Sequence, residues 1–283
     1  MRICRYNEGK VGLVKGDQLI DVTVALGQIP QARGPKMPGD SMIANLDTIK
    51  PEIEANRKMG YVQGVKNVKL KSPVRSPSKI VAAQANFTDR LSEAGDREKI
   101  SLGRNVETFE SHGFFLRENS VLAGVGDGIN LGRTDGRANY VTNLAIILGR
   151  RAKNVNEVNA LNYVAGYSIG VDIKVHGVED RTSTKSFRSD SVLGPWLTTA
   201  DEITDPDDLD LSLWINGKLR QQSNTKHLFL GCRQLIAYAS KLFTLYPGDI
   251  LMTEMPRDVS LLKVGDRLKC RFDIIGQMEL GVR

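Results

Sequence analysis

Four groups of residues in this chain have the types that chemistry uses, and their spacing decides what each could do. Gly124-Val125-Gly126-Asp127-Gly128 has the glycines of a phosphate cradle. Its spacing fits neither a Walker loop nor a dinucleotide fingerprint, so it reads as a turn. The acidic run Asp205 to Asp210 offers hard oxygen atoms for calcium, but the ligand spacing and the distant Glu of a calcium loop are absent. It reads as a solvated turn before a strand. His112, His176 and His227 have no partner at a metal-ligand spacing. Cys4, Cys232 and Cys270 are odd in number, far apart and without Cys-x-x-Cys spacing, which argues against a disulfide framework or a thiolate zinc site. Buried structural thiols are expected.

Chemistry must therefore come from residues that the fold gathers from separate elements. The first segment alternates strand-like runs with glycines: Met1 to Arg5, Gly12 to Val14 and Leu19 to Val22. A loop over Gln28 to Asp40 precedes a helix expected from Ile43 to Met59. Lys71 to Lys79 carries two prolines and few apolar residues, which reads as a linker. The expected division is a small N-terminal domain over residues 1–72 and a larger one over 73–283. In the larger part Leu144 to Leu148 is a buried-strand candidate, and Leu209 to Ile215 alternates and runs into Asn216-Gly217, a strong hairpin signal. Leu228 to Leu245 has apolar residues at helical spacing, and Pro247-Gly248 stops it before a strand from Ile250 to Thr253. Strands outweigh helices, so the class is a β-rich α+β fold.

The 283 residues, 41% hydrophobic and 25% charged, suffice for a sizeable core, and no apolar run approaches the roughly 18 residues of a spanning helix. Met1 to Lys10 is polar where a secretory signal would be apolar, so the expected compartment is the cytoplasm, with no membrane partner. The net charge of +6 is spread and interleaved with acids rather than gathered into a basic face. Nucleic acid is not an expected partner. A small anionic substrate is, because a positive cleft attracts carboxylates.

Several segments, read in order, carry a resemblance. They are Asn86-Phe87-Thr88-Asp89-Arg90-Leu91-Ser92-Glu93, Leu144 to Gly149, Tyr163 to Asp172, Glu179-Asp180-Arg181 with Lys185-Ser186-Phe187, Leu193-Gly194-Pro195-Trp196-Leu197, Asn216-Gly217 through Arg220-Gln221, and Pro247-Gly248-Asp249-Ile250. From about Lys79 to Arg283 the chain resembles the fumarylacetoacetate hydrolase superfamily. The resemblance implies a mixed β-roll, commonly a homodimer, behind a small N-terminal domain. It also implies magnesium- or manganese-assisted cleavage or tautomerisation of 2-oxo and 1,3-dioxo acids, in which the metal stabilises an enolate.

The resemblance also shows where this chain departs from the family. A Glu-x-Glu pair before the apolar strand reads Val141-Thr142-Asn143, so of three expected carboxylates only Asp172 remains. Residues two apart on a strand share a face, which is why such a pair would aim at one ion. Arg90 stands where many members have a His, with Glu93 retained three residues on. An arginine is always protonated and cannot serve as a neutral base. Lys185 matches the family's site lysine, Arg188 replaces an Asp, Glu254-Met255-Pro256 replaces a Gly-Thr-Pro turn, and Gln221 matches a substrate-contacting glutamine.

The first expectation is an enzyme acting on an anionic oxo-acid without the usual metal cage. Lys185, Asp172, Glu93 and Arg90 form its catalytic set, and Arg188, Gln221, Glu254, Asn143 and Phe87 surround the substrate. No resident cofactor is expected, with weak magnesium or manganese at Asp172 and Asn143 at most. The alternatives are a conventional metal-dependent acylpyruvate hydrolase using Asn143, Asp172 and Glu254, and a non-catalytic binding or structural protein on the same fold.

Overall fold

The computed structural model describes residues 1–31, 38–87, 109, 113–131, 138–175, 191–254 and 261–283. The N-terminal strands are β1 (Arg2–Tyr6), β2 (Lys10–Lys15) and β3 (Gln18–Asp21). They precede α1 (Ser41–Ala44), α2 (Leu46–Asn56), β4 (Val62–Gly64) and β5 (Leu70–Lys71). The rest comprises β6 (Ile80–Ala83), β7 (Phe114–Arg117), β8 (Leu122–Gly124), β9 (Ala138–Leu148), β10 (Val164–Val175) and β11 (Ser191–Thr199). After these come β12 (Asp210–Ile215), β13 (Lys218–Asn224), α3 (Cys232–Leu242), β14 (Ile250–Met252), β15 (Arg267–Phe272) and β16 (Gly276–Gly281).

Among the described residues the strands form a 12-stranded sheet in the order β4-β3-β2-β1-β11-β10-β9-β14-β6-β7, with β5 beside β1 and β8 beside β11. A 4-stranded sheet, β13-β12-β15-β16, completes the β-rich α+β fold. The large sheet is mixed, since β14 pairs with β6 and β8 with β11 in parallel while the other pairs are antiparallel. Its connectivity forces it to curl. Ser191 of β11 pairs with both Asp172 of β10 and Leu122 of β8, so β8 lies beyond β11, and in a flat sheet β7 and β8 would stand about 29 Å apart. The chain from Arg117 to Leu122 reaches about 18 Å at full extension. Only a rolled sheet brings those edges within reach.

The roll divides the core. Ile80, Ala82, Ala145, Ile147, Ile250 and Met252 face one way, against Met42, Ile43, Ile49 and Ile53 of the N-terminal helices. Tyr140, Leu144, Ile146, Leu148, Ile169 and Val171 face the other, against Leu211, Leu213, Leu268 and Phe272 of the small sheet and Ile236 of α3. The N-terminal strands continue the large sheet through β1, where Arg2 and Ile3 pair with Thr198 and Leu197.

Two helices depart from their expected lengths. The stretch expected over Ile43 to Met59 breaks at Asn45, whose backbone (φ −111°, ψ 20°) leaves helical geometry and whose amide donates to the Ser41 carbonyl. Helix α3 begins at Cys232 rather than Leu228, because the preceding residues are drawn into tertiary bonds. Asn86 donates to the Leu230 carbonyl and accepts from the Leu230 N–H, and Asp207 accepts from the Cys232 N–H at 2.7 Å. Asn216 and Gly217 turn the β12–β13 hairpin with positive φ of 51° and 77°, as the Asn-Gly signal requires. All three cysteines are buried and free. Burial pushes the Cys4 and Cys270 thiols up to about 12 and raises Cys232 as well, so none is primed as a nucleophile.

Two buried carboxylates tie the parts together. Asp40 accepts from the Arg5 guanidinium at 3.0 and 3.2 Å and from the N–H groups of Met42, Ile43, Arg75 and Ser76. Asp249, with no exposed surface, accepts from Ser78 N–H and Oγ, Lys79 N–H and Nζ, and Tyr246 N–H, all between 2.7 and 3.0 Å. In each case a set of surrounding donors takes the place of water around the carboxylate. Replacing Asp249 with Ala strands those donors together with the Lys79 charge. The expected loss is about 3–5 kcal/mol in urea unfolding. A loss below about 1 kcal/mol, typical of a surface pair, would show that Asp249 does not hold this junction.

Candidate active site

Strands β9, β10 and β11 lie side by side, and their register puts chosen residues on one face. Asp172 stands opposite Val141 on β9 and Ser191 on β11, while Asn143 stands opposite Gly170. Facing residues of an antiparallel pair share a side, so Val141, Asn143, Asp172 and Ser191 all point the same way. That side also carries Met252 of β14, which faces Ala145, and Arg117 of β7, which faces Ile80.

Asp172 is buried at 4% exposure. Its Oδ1 accepts a 2.6 Å hydrogen bond from Ser191 Oγ, and the Nε of buried Arg117 lies 3.8 Å from the same oxygen. Asn143 forms a local bridge. Its Oδ1 accepts from the Glu254 N–H at 2.7 Å, and its Nδ2 donates to the Val141 carbonyl at 2.9 Å. Glu254 in turn presents Oε2 to the Asn86 N–H at 2.9 Å, and the Asn86 side chain donates to the Thr253 and Leu230 carbonyls. Asn143, Glu254 and Asn86 form one connected network that joins the middle of β9 to the segments following β6 and β14.

Two residues in this network hold positive φ without being glycine: Ala85 at 57° and Glu254 at 60°. For side chains of this kind the left-handed region costs about 1–2 kcal/mol. Such strain persists where surrounding bonds over-determine it, and here those bonds are Asn143 to Glu254 and Asn86 to Glu254. Gly170, beside Asn143, leaves room for the Met252 thioether, which a Cβ would meet at 2.5 Å.

The remaining expected site residues are dispersed. Phe87 is buried in the core shared with the small sheet, bridged to Leu228, with its ring centroid 6.1 Å from that of His227. Gln221 is buried on β13 opposite Leu213. Lys185, Arg188, Arg90 and Glu93 lie outside the described residues, as do His112 and His176. The structure adds Asn86, Arg117 and Ser191. For Arg117 a signal existed: alternation along Phe-Phe-Leu-Arg sets it on the same face as Phe115, an arginine on the inner side of a strand. Nothing in the sequence pointed to Asp172 as its neighbour.

Among the described residues the donor set is poor for a divalent ion: the Val141 side chain has no ligand atom, the Asn143 oxygen accepts from the Glu254 N–H, and Asp172 Oδ1 is shared with Ser191 and a guanidinium. Hard cations need several free oxygen ligands. Among the described residues no group of three or more His, Cys, Asp or Glu is placed to hold a metal.

The profile of the fumarylacetoacetate hydrolase C-terminal domain matches residues 79–283. The chain belongs to the fumarylacetoacetate hydrolase family. It is an enzyme of that group of hydrolases and isomerases. A maleylpyruvate hydrolase of Aquipseudomonas alcaligenes is 41% identical over 100% of this chain and 99% of its own length. A solved maleylpyruvate hydrolase from Sphingobium sp. SYK-6, in complex with manganese(II) and pyruvate, is 33% identical with a TM-score of 0.83, covering 100% of this chain and 98% of that one. The mitochondrial oxaloacetate tautomerase of Xenopus laevis is 29% identical over 82% of this chain and 72% of its own.

The Asn143 bridge is directly testable. Asn143→Ala leaves the Glu254 N–H and the Val141 carbonyl without their partner. Chemical denaturation is expected to show a loss of about 1–3 kcal/mol, since buried donors left unpaired bear their full desolvation cost. Wild-type stability in this variant would mean that water replaces the bridge without penalty.

Proposed function

We propose that this enzyme hydrolyses the carbon–carbon bond of a small anionic acylpyruvate, with maleylpyruvate as the leading substrate, and that protein cations replace the three-carboxylate metal cage. The substrate class rests on the end-to-end similarity to a maleylpyruvate hydrolase. The metal-free reading rests on one observation: Asn143 is committed to the backbone of Glu254, and Asp172 to Ser191 and Arg117.

In this reaction water adds to the acyl carbonyl, the adjacent C–C bond breaks, and its electron pair passes to a pyruvate enolate that takes a proton at carbon. The developing negative charge needs fixed positive partners. In this reading Lys185, Arg188 and Arg90 provide them and hold the substrate carboxylates through charge-assisted hydrogen bonds. A carboxylate, Glu254, Glu93 or Asp172, takes the proton from water. Gln221 and Phe87 complete the surroundings of the substrate. The working form in this reading is a cytoplasmic homodimer. Among the described residues no helix is long and apolar enough to cross a membrane.

A second reading keeps a weakened metal at Asn143, Asp172 and Glu254. It is favoured by the manganese bound in the solved Sphingobium maleylpyruvate hydrolase, 33% identical to this chain, and it requires the Asn143–Glu254 and Glu254–Asn86 bonds to be released. Turnover of maleylpyruvate decides between the two. Hydrolysis is expected to persist in excess chelator, to gain nothing from manganese, and to fall by about 100-fold or more in Lys185→Ala. Activity that vanishes in chelator and returns with manganese would establish the metal-assisted reading instead.

A further inference from the structure

Arg117 is an unusual residue to find where it lies. It closes β7 with 6% exposure, on the inner side of the roll, and nothing in the family resemblance assigns it a role. Its guanidinium meets three of the described residues. The CZ atom lies 5.2 Å from the centroid of the Phe115 ring, a terminal nitrogen donates to the Ile173 carbonyl at 3.4 Å, and Nε faces Asp172 Oδ1 at 3.8 Å. The curl of the sheet brings this cation from β7 to β10, with β6, β14 and β9 between them in the sheet order.

A carboxylate at 4% exposure needs a positive partner or a dense set of donors. Among the described residues Asp172 has one hydroxyl donor, Ser191, and one ion pair, Arg117. An arginine suits this place better than a lysine. Its guanidinium is weakly hydrated, stacks on an aromatic face, and can address a carbonyl and a carboxylate together from one rigid plane.

We infer that Arg117 is a resident cation of this face: a positioning residue that supplies positive charge for Asp172, whose carboxylate Ser191 orients by hydrogen bond. The inference rests on the metal-free reading proposed above. It adds a residue that acts through Asp172 rather than on the substrate.

A charge-only double-mutant cycle tests it, using Arg117→Met, Asp172→Asn and the double variant. Asp172→Asn keeps an oxygen that can accept from Ser191. Removing Arg117 alone is expected to shift the unfolding equilibrium on the order of 100-fold or more, because it leaves a buried carboxylate without its cation. The double variant should recover most of that loss. Additive effects would overturn the inference, and that result is independent of any catalytic assay. Should Arg117→Met fail to fold, Arg117→Lys takes its place. The lysine keeps the charge and loses the fork, so it should fold and turn over maleylpyruvate with unchanged KM and reduced kcat. An unchanged kcat in that folded variant would leave Arg117 as a packing residue and sink the idea. In the wild type, the melting temperature should be the same in manganese and in chelator. A rise with manganese would refute the metal-free reading on which the inference stands, while the cycle would still report whether the pair exists.

Discussion

The site depends on a carboxylate that takes no part in its chemistry. Asp249 lies in the turn before β14 and gathers donors from Ser78, Lys79 and Tyr246. Because it is buried, those bonds cannot be exchanged for water without cost. They pin the start of β6 to the start of β14, and the parallel register that follows is Ile80 to Ile250, Val81 to Leu251 and Ala82 to Met252. A few residues further on, the same alignment delivers Asn86 and Glu254 to each other. The strained backbone at Ala85 and Glu254 is held from this anchored side.

The far side of the site is set by the roll. Strands β9, β10 and β11 place Asn143, Asp172 and Ser191 on one face, and curling brings Arg117 onto Asp172. Among the described residues, that face therefore carries the Asp172 carboxylate, the Asn143 amide, the Ser191 hydroxyl and the Arg117 guanidinium. Within the described residues, the Arg117 guanidinium lies against the Asp172 carboxylate. Asn143 accepts from the Glu254 N–H and so ties that residue to β9. The manganese and pyruvate in the Sphingobium relative mark what a sister protein binds.

Much of the fold could be read from local pattern. The apolar run from Leu144 to Leu148 and the Asn-Gly hairpin rest on short-range rules and lie where those rules put them, while the helix expected over Leu228 to Leu245 forms only over Cys232–Leu242. What escaped was tertiary. Helix α3 loses its expected first turn because Asn86 competes for Leu230, and Asp207, in a run read as solvated, caps that helix. In the site, Asp172 and Asn143 were recognisable by position, but their partners come from distant strands. Ser191 reaches Asp172 through sheet register, and Arg117 through curvature that single-sequence patterning does not contain.

The most direct test of the account is a crystal of the wild-type protein soaked with oxalate and manganese, with data collected at the manganese absorption edge. Oxalate is a mimic of the pyruvate enolate. The account predicts oxalate in the site with no anomalous peak beside Asp172, and with Asn143 still bonded to the Glu254 N–H. An anomalous peak liganded by Asp172 and the Asn143 oxygen, with the Glu254 bond released, would contradict it.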